Sequence, residues 1–137
     1  MLVAPEGGPG FESPPVAAVL EKLAERYPLD AKRVFLVGHS LGAGQAMSLG
    51  ETGKFAAVAA LGGGRAGKPE AFAELPTFIG VGDQDALGLA GSRALRRALT
   101  AAGAKRVTYK EYEGVEHLVI VREALPDAFE VFDAAAK

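Results

Sequence analysis

Apolar residues in this chain form short runs that alternate with stretches of helical periodicity. Three of these runs have no polar interruption, which is typical of strands buried on both faces of a sheet. A further strand is predicted close to the amino terminus, and another where polar and apolar side chains alternate. The five predicted strands are Leu2–Ala4, Val34–Val37, Phe55–Leu61, Phe78–Val81 and Val107–Tyr112.

Helical periodicity fills most of the segments between the predicted strands. Apolar residues from Val16 to Leu23 recur on one helix face, and Ser13 is a candidate N-cap ahead of Pro14. Further helices are predicted over 45–49, around 95–102 and from about 121 to 135. Alternating strands and helices predict a single α/β domain over residues 1–137, with a mostly parallel sheet of about five strands and helices on both faces.

The run Val34–Val37 leads into the pentapeptide Gly38–Gly42, which reads Gly-His-Ser-Leu-Gly, and a helical segment follows. A strand, a Gly-x-Ser-x-Gly turn and a helix in this order are typical of a nucleophile elbow, which presents a serine hydroxyl at the carboxyl end of a sheet. We expect side chains at Gly38 and Gly42 to collide across the turn, and Gly44 to let the helix approach the strand. Because the chain contains 18 glycines, a turn that carries an inert serine is the alternative.

A serine hydroxyl needs a neighbouring base to accept its proton, and the chain contains two histidines. His39 adjoins Ser40, and successive residues of an extended segment point to opposite faces, so local packing or hydrogen bonding is the better role for His39. His117 follows the last predicted strand and precedes the last helix. His117 is therefore the predicted base, with a solvated surface histidine as the alternative.

A carboxylate must orient the imidazole of such a base and stabilise its charged form. The predicted strand Phe78–Val81 runs into an acidic turn that contains Asp83 and Asp85. Either carboxylate can serve, and two acids so close in sequence usually divide the work between shaping the turn and reaching the site. The alternative is that both side chains only shape the loop.

The order Ser40, Asp85, His117 resembles the α/β-hydrolase superfamily, particularly its small-esterase, dienelactone-hydrolase-like and polyester-depolymerase-like branches. In these proteins the acid commonly follows a strand as Gly-x-x-Asp, which favours Asp85 after Gly82 over Asp83 after Gly80. The approach to the elbow over 28–34 and the histidine loop over 114–117 also resemble this superfamily. The resemblance implies an ester hydrolase with Ser40 as nucleophile, His117 as base and Asp85 as the orienting acid.

The chain has fewer predicted strands before the elbow than such hydrolases usually have, and we expect a minimal or N-terminally truncated core. The backbone N–H of Leu41 is the first predicted donor to the oxyanion of the reaction. The loop that usually supplies a second donor has no clear counterpart. Backbone N–H groups of Gly7, Gly8 and Gly10 are candidates, with a flexible linker as the alternative. A strand edge left uncovered by missing neighbours predicts a homodimer.

Composition removes several function classes. The net charge is −2 with no basic run, which argues against nucleic-acid binding. No apolar stretch approaches the length of a membrane helix, and the absence of cysteine excludes thiolate chemistry and disulfides. With two separated histidines we predict no metal site, and we expect no cofactor.

The leading hypothesis is a serine esterase acting on a small-molecule ester in the cytoplasm, with a secreted origin left open if a leader preceded Met1. A non-catalytic fragment or pseudoenzyme acting through assembly, and an acyltransferase that uses the same residues, are the alternatives.

Overall fold

The computed structural model describes residues 1–4 and 15–137, which divide into two compact units, Met1–Asp30 and Ala31–Lys137. In the first unit, helix α1 spans Val16–Ala24, and an exposed ion pair between Lys22 and Glu25 lies at its end. Leu2–Ala4 has no regular secondary structure, so the predicted first strand is wrong. So short a segment becomes a strand only when a partner accepts its backbone hydrogen bonds, and the sheet includes none of these residues. The N-cap predicted at Ser13 lies outside the described residues.

The second unit contains a parallel sheet, and the described residues contribute four strands to it rather than the five expected. The strands are β1 Phe35–His39, β2 Ala57–Leu61, β3 Thr77–Gly82 and β4 Val107–Tyr112. They lie in the spatial order β1-β2-β3-β4, and every neighbouring pair is parallel. Because all four strands run the same way, their carboxyl ends meet at one edge of the sheet.

Helices cover both faces of the sheet, as predicted for an α/β fold. Their bounds are α2 Leu41–Gly50, α3 Leu89–Ala101 and α4 Ile120–Ala135, with short 3₁₀ helices at Ala31–Arg33 and Pro69–Phe72. Helices α2 and α3 pack with Val58, Ala60 and Ile79 on one face. Helix α4 packs against the other face of the sheet. There it contacts four side chains of β2 and β3: Ala57, Ala59, Leu61 and Phe78. The fully buried strands β2 and β3 are therefore the centre of the core.

An ion pair holds helix α3 against the edge strand β4. The guanidinium group of Arg93 donates to both carboxylate oxygens of Glu111, at 2.7 and 2.8 Å. These hydrogen bonds are the main reason that the pKa of Glu111 falls to about 2. Helix α3 begins just after the acidic turn. The ion pair therefore joins the helix that follows the candidate acid to β4.

Candidate active site

The turn after β1 holds Ser40 in a strained backbone conformation. Ser40 has φ 56° and ψ −116°, and among the described residues it is the one non-glycine with positive φ. A Cβ atom at Gly38 would collide with the backbone of Gly42, so the predicted need for glycine at 38 agrees with the structure. The collision expected at Gly42 is wrong, because a Cβ there meets nothing within 4 Å. A Cβ at Gly44 also meets nothing within 4 Å, so the approach of the helix to the strand does not require glycine at that position. Strain of this kind is typical of functional turns.

Three side chains from three loops form one row of hydrogen bonds at the carboxyl edge of the sheet. The hydroxyl of Ser40, after β1, lies 2.9 Å from Nε2 of His117, after β4. Nδ1 of His117 lies 2.8 Å from each carboxylate oxygen of Asp85, after β3. Because Nδ1 faces a carboxylate it carries the proton, which leaves Nε2 free to accept the hydrogen bond of the serine.

The burial of this row increases from the histidine to the acid. The side chain of Asp85 is fully buried and that of His117 is 17% exposed. Backbone N–H groups of Leu87 and Gly88 donate to Oδ1 of Asp85 at 3.0 and 2.6 Å. These donors replace the hydrogen bonds to water that burial removes from the carboxylate.

Asp83 has a different position from Asp85. Its Oδ1 accepts the backbone N–H of Gly114 at 2.8 Å and the side-chain amide of Gln84 at 3.1 Å. Asp83 therefore joins the acidic turn to the histidine loop through a hydrogen bond, whereas Asp85 contacts the imidazole of His117. A division between a shaping and a reaching carboxylate was expected from the sequence.

Solved structures that share this fold include a thermostable esterase and a carboxylesterase. A thermostable esterase matches with a TM-score of 0.71 and 23% identity, over 86% of this chain and 35% of its own. SOBER1 from Arabidopsis thaliana matches with a TM-score of 0.67 and 20% identity, over 88% of this chain and 60% of its own. A carboxylesterase from Bacillus cereus matches with a TM-score of 0.62 and 24% identity, over 88% of this chain and 58% of its own.

The chain has an α/β-hydrolase, esterase-like fold. It spans between about one third and three fifths of the length of these structures. No protein-family model matches the sequence, and no curated protein does.

Glycines in this hydrolase-like core let backbone approach the acid and the histidine. Gly62, at the end of β2, has φ 62°, and a Cβ there would lie 3.1 Å from Oδ2 of Asp85 and 3.3 Å from Nδ1 of His117. A Cβ at Gly88 would lie 2.5 Å from the same carboxylate oxygen. No role was predicted for Gly88 from the sequence. The position of Gly88, three residues after Asp85 and within a turn, was the sequence feature that could have indicated a close approach to the acid.

His39 contacts the histidine loop, a role that the sequence indicated only as local packing or hydrogen bonding. Its Nε2 donates to the backbone carbonyl of His117 at 2.8 Å, and the two rings lie 4.8 Å apart. The bond spans from β1 to the loop after β4. It therefore fixes the backbone of the candidate base relative to the strand that carries Ser40.

The N-terminus of α2 places the backbone N–H of Leu41, the first residue of the helix, next to the candidate nucleophile. First-turn N–H groups of a helix have no intrahelical acceptor, and the helix dipole favours negative charge there. Gly7, Gly8 and Gly10, the candidates for a second donor, lie outside the described residues.

Metal and membrane signals are absent from the part of the chain that the structure describes. No group of three or more His, Cys, Asp or Glu side chains there is arranged to hold a metal ion. Of the helices between residues 15 and 137, none is long and apolar enough to cross a bilayer.

Proposed function

We propose that this protein is a serine hydrolase that cleaves carboxylic esters through an acyl-enzyme on Ser40. The observation that carries the proposal is the continuous hydrogen-bonded row from Ser40 through His117 to the buried Asp85. The strained backbone of Ser40 supports it, because an inert serine gives no reason to hold a non-glycine residue at positive φ. The similarity in fold to esterases is consistent with this chemistry.

Acylation begins when the Ser40 hydroxyl attacks the carbonyl carbon of the ester. His117 accepts the hydroxyl proton at Nε2, and the negative charge on the carbonyl oxygen is stabilised by the N–H of Leu41. When the tetrahedral intermediate collapses, the bond to the alkoxy oxygen breaks, and His117 returns its proton to that oxygen. An alcohol leaves, and the acyl group stays on Ser40.

Deacylation repeats these steps with water. His117 takes a proton from the water as its oxygen attacks the acyl carbon, and then returns the proton to Ser40 Oγ as the carboxylic acid leaves. Asp85 holds the imidazole in the tautomer with the proton on Nδ1 and stabilises the charge that His117 carries in both halves. The cycle consumes water and a small-molecule ester and requires no cofactor.

The proposal is tested by hydrolysis of p-nitrophenyl acetate. Ser40→Ala should reduce turnover by a factor on the order of 10⁶, toward the rate of the buffer alone, because the nucleophile is lost. Ser48→Ala, at an exposed position of α2, is the matched control and should retain the parent rate. If Ser40→Ala and the parent were equally active, the assignment of the nucleophile would be wrong.

A further inference from the structure

Three leucines lie beside Ser40, His117 and Asp85, which we call the candidate triad. All three leucines are almost completely exposed. Leu41, Leu87 and Leu118 are 81%, 81% and 80% exposed. The other large exposed apolar side chains between residues 31 and 137 are only about half as accessible, at 37–42%. Leucine is usually buried, and a group of exposed apolar side chains at one place marks a binding surface.

Each leucine is tied to a different member of the triad. Leu41 directly follows Ser40, and Leu118 directly follows His117, so each neighbouring pair of Cα atoms is about 3.8 Å apart. Leu87 is joined to the acid, since its N–H donates to Oδ1 of Asp85 at 3.0 Å. The three leucines thus adjoin three residues that are hydrogen-bonded in one row. We call Leu41, Leu87 and Leu118 the leucine rim.

Folding does not explain the choice of leucine at these places. Leu87 and Leu118 lie in turns between a strand and a helix, where polar residues and glycine are the usual choices. Leu41 opens α2 with its side chain in solvent, while Ala43, Ala46 and Met47 make the buried contacts of that helix. The rim therefore contributes little to the core and is available to a ligand.

We infer that the leucine rim binds the alkyl chain of the acyl group, so that the substrates are esters of medium-length aliphatic acids. This inference rests on the proposed function, because the acyl carbon must sit at Ser40 for its chain to cross the rim. The rim contacts a chain on one side, so each added methylene should raise kcat/KM about twofold rather than the roughly fourfold of complete burial.

The test compares kcat/KM for p-nitrophenyl hexanoate with that for p-nitrophenyl acetate. The hexanoate has four more methylenes, and we expect the parent to prefer it by about tenfold or more. Leu87→Gln and Leu118→Gln should each lower this preference about threefold, and the double variant should come close to removing it. Phe129→Gln, which removes an exposed apolar side chain from the later part of α4, is the matched control and should keep the preference.

The outcomes separate the two proposals. Hydrolysis of both esters with equal kcat/KM in the parent would overturn the rim assignment and leave the serine hydrolase intact. If the Gln variants kept the preference for hexanoate but changed the oligomeric state in light scattering, the rim would be a contact between copies rather than an acyl site. If the parent hydrolysed neither ester and Ser40 did not react with a fluorophosphonate, both the serine hydrolase and the acyl site on the rim would be overturned.

Discussion

Asp83 and Asp85 are two residues apart in one turn, yet only Asp85 contacts the imidazole of His117. Asp85→Asn should lower kcat by about 10⁴-fold, because an amide no longer fixes the tautomer of the histidine. Asp83→Asn should instead loosen the contact with Gly114 and mainly lower the midpoint of urea unfolding. Kinetics and unfolding of both variants check this division, and the reverse pattern would exchange the two roles.

His39 acts on the reaction through the backbone of His117, as a positioning residue. His39→Phe keeps a ring but loses the donor to the His117 carbonyl, and we expect kcat for p-nitrophenyl acetate to fall about tenfold with KM little changed. His39→Gln keeps an N–H donor and should recover part of the loss. A His39→Phe variant more active than His39→Gln would show that the ring, and not the hydrogen bond, is what matters.

The positions of Ser40 and His117 were predictable because each follows an apolar or alternating run that ends in a recognisable turn. The choice between Asp83 and Asp85 was favoured by Gly-x-x-Asp spacing but not decided by it, since both aspartates satisfy that spacing. The bond from His39 to the loop of His117 joins residues 78 positions apart, and no local pattern reports such a contact.

Helix α3 contains a polar group with no hydrogen-bond partner. Ser92 is fully buried, and among the described residues its hydroxyl is the one buried side-chain polar atom left unpaired. Ser92→Ala should stabilise the protein by about 1 kcal/mol, because it removes an unpaired hydroxyl and improves helix propensity. Thermal unfolding checks this against Ser48→Ala, an exposed position of α2 where propensity alone changes. A Ser92 variant no more stable than the Ser48 variant would contradict this account of the hydroxyl.

Elements were predicted well where apolar runs are long, and poorly where hydrogen bonds from distant segments define their ends. The run Phe78–Val81 became β3 with one more residue at each end. Helix α3 begins at Leu89, six residues before the first apolar position that predicted it. The start of α3 depends on hydrogen bonds such as that from the Leu89 N–H to the carbonyl of Asp85. The residue before the helix is Gly88, which has no side chain to cap it, so the sequence did not indicate where the helix begins. Leu2–Ala4 was too short to identify a strand.

On the scale of the whole molecule, the unit Ala31–Lys137 has the α/β-hydrolase arrangement in reduced form, with β1 at one edge of the four described strands. We propose that a second copy pairs with this edge, because Val37 on β1 is an exposed apolar side chain and an apolar edge strand is a template for another chain. The parent should be a dimer in light scattering, and Val37→Lys, on this edge strand, should shift it to monomer. Activity per chain should fall on dilution if the partner completes the site. A monomer that stays fully active across the dilution range would contradict the proposal.

The central claim is that Ser40 is an activated nucleophile, and covalent labelling by a fluorophosphonate tests it most directly. Mass spectrometry of the intact protein and its peptides should show one adduct on Ser40, none on exposed Ser48, and almost none when His117→Ala removes the base. An ester substrate added first should slow the labelling. An unlabelled parent protein, or an adduct on another residue, would contradict the account.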